Sequence, residues 1–179
     1  LSHERAKELQ RQDPDSAEVI RKYLSADDVT NDPRQNSSRC VIDFKDWPVE
    51  KARRSRACFE IVERLVKPER ERNRHKNKIA ESRARTWWLF ASYTPSLYRA
   101  IGGASYVVVI PNTSKYSLPV VVPADAIFSN SLAVAVDRSG HIFSSLASSF
   151  HYWWGVTYGS TLETRLRYGP SDCFETFPF

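Results

Sequence analysis

The sequence predicts an α+β fold: one mixed, largely antiparallel sheet with flanking helices and an N-terminal helical segment. Three observations predict it. Apolar residues recur at helical spacing in the first part of the chain. Several short β-branched runs separated by turn residues follow, and one further helix pattern and one strand close the chain. No internal repeat and no low-complexity segment interrupts this order.

Residues 2–11 are polar and helix-prone, and Asp13-Pro14-Asp15 breaks them with a capping residue. Ala17, Ile20, Tyr23 and Leu24 recur at helical spacing, so 15–24 is expected to be a short amphipathic helix. Residues 25–38, rich in Asp, Asn, Ser and Pro, read as loop. Cys40-Val-Ile-Asp-Phe44 reads as a strand, and Pro48 opens a helix over 49–67 carried by Cys58, Ile61, Val62, Leu65 and Val66. Pro68 interrupts it. Beyond it the apolar stripe ends, and 69–78 reads as a projecting helix or a mobile arm. Pro95-Ser-Leu-Tyr-Arg-Ala-Ile101 is a short helix stopped by Gly102-Gly103.

Tyr106-Val-Val-Val-Ile110 is a central strand, and Tyr116 to Val122 is a strand in which Pro119 argues for an edge position or a bulge. Between them Pro111-Asn-Thr-Ser-Lys115 is a turn. Ile127-Phe128 and Leu132-Ala-Val-Ala-Val136 are further strands, and Asp137-Arg-Ser-Gly140 is a tight turn. Phe143, Leu146, Ala147, Phe150 and Trp154 mark a buried helix over 140–154. A strand over 161–168 and an aromatic tail with Phe174, Phe177 and Phe179 finish the chain.

With 179 residues, 41% of them hydrophobic and 12% aromatic, the chain can build a real core. No apolar run is long enough for a membrane span, and Leu1-Ser-His-Glu-Arg lacks the layout of a signal peptide. The absence of methionine is expected of a piece excised from a longer chain, or of a chain whose selenomethionines went unrecorded. Cys40, Cys58 and Cys173 are odd in number and form no Cys-x-x-Cys pair. They point to a reducing cytoplasm, with Cys40 and Cys58 as small core residues.

Charge is unevenly spread. Residues 51–85 hold 13 Lys and Arg against 5 Glu, while the whole chain carries only +5. Such a concentration implies a polyanionic partner, a solvated basic helix being the plain alternative. Arg83, Arg85, Trp87, Trp88 and Phe90 interleave charge with aromatics, as nucleic-acid surfaces do, although of two adjacent tryptophans one more often anchors the core while the other covers a loop.

Catalytic motifs are missing. There is no phosphate loop, no Gly-x-Gly-x-x-Gly, no Gly-x-Ser-x-Gly and no metal-ligand spacing among His3, His75, His141 and His151. Glu60, Glu63 and Lys67 read as a helix-surface group rather than a nuclease site. Asn31-Asp-Pro-Arg34 does not meet the Asn/Asp-Pro-Pro-Tyr/Phe tetrapeptide of aminomethyltransferases.

The strand 162–168 is the most distinctive stretch. A period of two puts Glu163, Arg165 and Arg167 on one face, about 6–7 Å apart. An acceptor and two forked donors in a row suit base edges: arginine to guanine, glutamate to the cytosine amino group. A surface strand whose charges neutralise one another is the alternative.

Several segments together resemble the target-recognition region of MmeI-like single-chain restriction-methylation enzymes. They are Tyr23-Leu24 through Asp28, Cys40-Val-Ile-Asp-Phe44 with Trp47, Val66-Lys-Pro-Glu-Arg70, Arg85 with Trp87-Trp88, Leu97-Tyr98 with Ala100-Ile101, Ser145 to His151 with Trp154, and Leu166-Arg-Tyr168 through Phe179. The resemblance covers about residues 18–179. It implies an N-terminal helical connector over 1–24 and a DNA target-recognition domain over 25–179. That domain would hold double-stranded DNA against a fused adenine-N6 methyltransferase, which flips the base into its own pocket. This piece would be non-catalytic and bind no cofactor, S-adenosylmethionine belonging to the methyltransferase of the parent chain. Glu163, Arg165 and Arg167 would be base readers, with Asn130 and Ser131 as a second reading loop. Lys67, Arg70, Arg72, Arg74, Lys76, Lys78 and Lys115 would contact phosphates. A stand-alone specificity subunit and a protein- or RNA-interaction domain are the rival readings.

Overall fold

The computed structural model of the chain describes residues 1–91 and 94–179. Two compact units emerge: Leu1–Lys22 with Ser38–Ser96, and Tyr23–Ser37 with Leu97–Phe179. In chain order the elements are α1 (His3–Gln12), a 3-10 turn (Pro14–Glu18), β1 (Ile20–Leu24), α2 (Ala26–Asn31), β2 (Arg39–Ile42), α3 (Val49–Ala52), α4 (Arg56–Leu65), α5 (Lys67–Asn73), α6 (Lys78–Arg85) and α7 (Pro95–Ile101). There follow β3 (Tyr106–Pro111), β4 (Thr113–Ser114), β5 (Val120–Pro123), β6 (Ile127–Phe128), β7 (Leu132–Ala135), α8 (His141–Leu146), α9 (Ser149–Tyr158), β8 (Ser160–Leu162), β9 (Arg165–Arg167) and a π-helical turn (Pro170–Phe174).

The α+β class is as the sequence predicts. The strands do not share one sheet, however, but form small sheets of three. Antiparallel β5-β3-β7 and β4-β9-β8 both lie in the second unit. There too, β1 pairs in parallel with β6, Tyr23 opposite Ile127 and Leu24 opposite Phe128.

The first unit is built on Leu9, Val19, Phe44, Trp47, Cys58, Phe59 and Val62, with Phe44 and Cys58 wholly buried. Asp13 is the break the sequence implies: its carboxylate accepts from the Asp15 and Ala57 amides and from the Ser16 hydroxyl. The helix expected over 15–24 is not formed. One 3-10 turn is followed by a strand, because Ile20 and Leu24 gain more from burial in an extended chain than propensity gains from a helix. The helix expected over 49–67 is broken at 53–55 into α3 and α4, and Leu65 at its end is exposed. Trp87 and Trp88 are both partly buried and pack against this core. Trp87 packs on Phe59 at 5.3 Å between centroids, and Trp88 Nε1 donates to the Trp47 carbonyl at 2.8 Å.

In the second unit, β3 is central and buried on both faces. Val107 and Val109 meet Leu24, Val29, Ile101 and Phe128, whereas Val108 and Ile110 meet Leu146, Tyr168 and Cys173. The loop expected over 25–38 contains α2. Its start is stabilised by Asp28, whose carboxylate accepts from the Ser25 amide at 2.8 Å and hydroxyl at 2.7 Å. The strand expected from Tyr116 shortens to β5, an edge strand beginning after Pro119, and the turn at 111–115 contains the short strand β4. The helix over 140–154 divides at 147–148, where Ser148 caps α9 by accepting from the His151 amide. Phe150, expected inside, is 81% exposed.

Candidate nucleic-acid interface

The single strand expected over 162–168 is instead a hairpin. β8 and β9 pair antiparallel, Ser160 opposite Arg167, Thr161 opposite Leu166 and Leu162 opposite Arg165. A two-residue loop, Glu163-Thr164, joins them. Glu163 has φ 58° and Thr164 has no positive φ, so the glutamate supplies the left-handed residue of this two-residue hairpin loop. Glu163 is therefore not the first of three groups on one strand face. Arg165 and Arg167 remain on one face of β9, with Leu166 on the other. Arg165 Nη2 donates to Glu163 Oε2 at 2.9 Å, the two side chains being 48% and 73% exposed. An exposed pair of this kind contributes under about 1 kcal/mol. It does set an acceptor beside a forked donor at the tip of the hairpin.

Below the tip the hairpin is firmly held. β9 is the middle strand of its sheet, Arg167 opposite Thr113 and Leu166 opposite Ser114. Tyr168 is buried, its amide donates to the Asn112 carbonyl at 2.8 Å, and its hydroxyl lies 3.0 Å from His151 Nε2. The His151 ring meets Phe177 edge-on at 4.6 Å. Burial pushes the Tyr168 phenol well above its ordinary value and holds the His151 imidazole below its own. A histidine whose folded pKa is lowered favours the unfolded state once the unfolded imidazole protonates. Stability contributed here is present above about pH 6.5 and falls below it. Thermal melts at pH 8 and pH 5 are expected to show this loss, and His151→Gln is expected to diminish it.

Arg165 also borders an open groove of about 550 Å³, which it shares with Lys115 and Tyr116 and, from α2, with Asp27, Thr30 and Asn31. Lys115 Nζ stands 5.0 Å from the Tyr116 ring centre. The sequence marks Lys115 and Arg165 but not the α2 residues, whose polar composition reads as loop. The Ser-x-x-Asp spacing at 25–28 is the signal that places them on a helix. Asn130 is exposed, whereas the Ser131 hydroxyl is engaged, donating to Ser129 Oγ and accepting from the Ala26 amide, each at 3.0 Å.

In the first unit, the segment read as a projecting helix or arm is the pair α5 and α6, which pack on each other. Its basic residues divide into two groups. Lys67 pairs with Glu63 at 3.2 Å and lies 4.9 Å from the Trp87 ring. Arg70 is half-buried and donates to the carbonyls of Arg83 and Thr86; burial, with Arg83 nearby, lowers its pKa. Arg72, Arg74, Lys76 and Lys78 are exposed and, among the described residues, make no ion pair. Arg70→Ala is thus expected to lower stability by about 1–2 kcal/mol in a denaturation curve, the two carbonyls losing their shared donor.

Among the described residues no cluster of His, Cys, Asp and Glu could hold a metal ion, and no helix is long and apolar enough to cross a membrane. All three cysteines are buried and free. Fold and exposed chemistry together define a small α+β module that presents charge on its surface. The chain belongs to the family described as "MmeI, target recognition domain", whose model matches residues 1–179. It is similar to DNA methyltransferase A of Bacillus subtilis (strain 168), with 27% identity over 122 residues, 66% of this chain and 13% of that protein. In fold it is similar to the type IIL restriction-modification enzyme MmeI, solved in complex with DNA, with TM-score 0.73 and 20% identity. That match covers 100% of this chain and 23% of the other.

Proposed function

We propose that this chain is the module that reads duplex DNA sequence for a fused adenine-N6 methyltransferase in a restriction-modification protein of the cytoplasm. The observation that carries this reading is the hairpin tip, where an exposed carboxylate–guanidinium pair stands beside a second exposed arginine on a rigidly anchored strand. Family membership supports it, since the matching model is that of a target recognition domain. In this reading Glu163 accepts from a cytosine amino group and Arg165 donates to the paired guanine, while Arg167 contacts a neighbouring guanine or supports Arg165. Asn130 and Ser131 form a second reading loop, Asn130 being the freer of the two. Arg72, Arg74, Lys76, Lys78 and Lys115 contact phosphates, giving affinity without sequence information. Lys67 and Arg70 contribute to the same basic field while serving their own helices. S-adenosylmethionine and the reacting adenine belong to the methyltransferase, and this module does no chemistry itself.

Fluorescence anisotropy of the full polypeptide with labelled duplex DNA, single-stranded DNA and RNA tests the reading. Duplex DNA is expected to bind tightest, with one sequence preferred over shuffled competitors. Equal binding of RNA, or no preference among duplexes, would overturn it.

A further inference from the structure

Residues 139–162 contain no Lys, Arg, Asp or Glu, in a chain that is 26% charged. Most of this stretch is α8 and α9. One side of α9 is committed to its own unit: His151 Nε2 lies 3.0 Å from the Tyr168 hydroxyl, and Trp154 Nε1 donates to Thr176 Oγ1 at 3.0 Å. A second side carries Phe150, Trp153 and Thr157 at i, i+3 and i+7, which form a single stripe. Phe150 is 81% exposed and Trp153 64%. The Thr157 hydroxyl donates back to the Trp153 carbonyl at 2.8 Å, so the polar group of the stripe is already satisfied. A helix side meant for water carries charged and polar residues. This one presents two aromatic rings.

We propose that the Phe150–Trp153 stripe of α9 is the surface by which this module seats on the methyltransferase part of its own polypeptide. The inference rests on the proposed function, which supplies that part. Duplex DNA does not suit the stripe, because affinity for it comes from neutralised phosphates and the stripe has no cation to offer. Stacking platforms for single strands likewise combine their aromatics with basic residues. An uncharged aromatic patch is the composition found at the centre of a protein interface. Area decides between a free partner and a tethered one. Two aromatic side chains bury about 150–250 Å² each, well short of the roughly 800 Å² per partner of a stable association. A contact that small is held when both surfaces share one backbone, since the effective concentration is then of order millimolar. The module spans 23% of the restriction-modification enzyme that it matches in fold, so in that relative ample polypeptide lies outside it to supply the surface. The helix is also coupled to the reading hairpin. It runs into β8 through Gly159, where an added Cβ would stand 3.1 Å from the Arg167 carbonyl oxygen and 3.3 Å from Cys173 Sγ. Seating α9 therefore also seats the hairpin.

The experiment places a photo-reactive benzophenone side chain at residue 153 of the full polypeptide, irradiates it with and without duplex DNA, and identifies the joined peptides by mass spectrometry. Methyl transfer, duplex affinity and site preference are measured in parallel on the wild type and on Phe150→Ser combined with Trp153→Ser. Both side chains are exposed in the module, so its own core is not disturbed by the exchange. Crosslinks are expected within one polypeptide, to peptides of the methyltransferase part, whether or not DNA is present. The double variant is expected to lose about 10-fold or more in kcat/KM for methyl transfer, while duplex affinity and site preference stay within about twofold. Crosslinks that join two copies, or that join residue 153 to DNA, would overturn the assignment of the occupant. Absence of any crosslink, together with unchanged methyl transfer, would mark the stripe as free surface and end the inference. A polypeptide that transfers methyl groups without preference among duplexes would sink the reading of sequence, while the same crosslinks within it would still support the seating surface.

Discussion

Exchanging the charges of the hairpin pair, as Glu163→Lys with Arg165→Asp, is expected to invert the preferred base pair at one position and leave overall affinity nearly unchanged. The free structure explains why both changes belong together. Arg165 Nη2 donates to Glu163 Oε2 across the tip, so either single change leaves one charge unpartnered. The double exchange restores an ion pair of opposite polarity on the same backbone. An ammonium at 163 would then meet guanine where the carboxylate met cytosine, and a carboxylate at 165 would accept from the cytosine amino group. Each such interaction contributes about 1–3 kcal/mol of discrimination, roughly 5- to 150-fold. Sequencing the sites bound or modified by the full polypeptide is the measurement. An unchanged site preference would show that these two residues do not read that pair.

The second large effect is expected from Arg72, Arg74, Lys76 and Lys78 replaced together by glutamine. They are exposed and make no ion pair among the described residues, so their removal costs the fold little. Binding should weaken alike for every duplex sequence. The dependence of log K on log salt should flatten by about 0.9 for each phosphate that is no longer neutralised. Arg70→Ala should lower stability and leave that slope almost untouched, because its guanidinium is already committed to the Arg83 and Thr86 carbonyls. If the fourfold variant retains the full slope, α5 and α6 lie outside the phosphate interface.

The contrast within this basic segment shows what a sequence conveys and what it withholds. Counting charges locates the segment, but only packing distinguishes Arg70 from Arg72. The break at Asp13 and the central run at 106–110 are legible because local chemistry and burial agree there. Residues 15–24 mislead because Ile20 and Leu24 fit two periods, and pairing of Tyr23 and Leu24 with β6 decides between them. The helix α2 is hidden by polar composition, although its Ser25 and Asp28 cap is in plain sight. At 162–168 the alternation is real for Arg165 and Arg167. A two-residue turn without glycine, asparagine or proline gives little sign of itself, so alternation alone puts Glu163 in the wrong geometry. Asn112 bonds to backbone groups of Asn130, Ser131 and Tyr168, all far along the chain, which no local pattern reports.

The backbone at Glu163 carries a consequence for how this surface could acquire new preferences. A φ of 58° tolerates glycine, asparagine, aspartate and unbranched chains far better than valine, isoleucine or threonine. Long hydrogen-bonding side chains are therefore interchangeable there, while a β-branched methyl offered to thymine is not. Length is as constrained as shape. One residue added to the loop would be taken up as a longer turn, because β4 and Tyr168 hold the register of β9, and it would move the side chain at 163 away from Arg165. Retargeting at this tip should proceed by exchange of side chains at fixed spacing, drawn from a restricted alphabet.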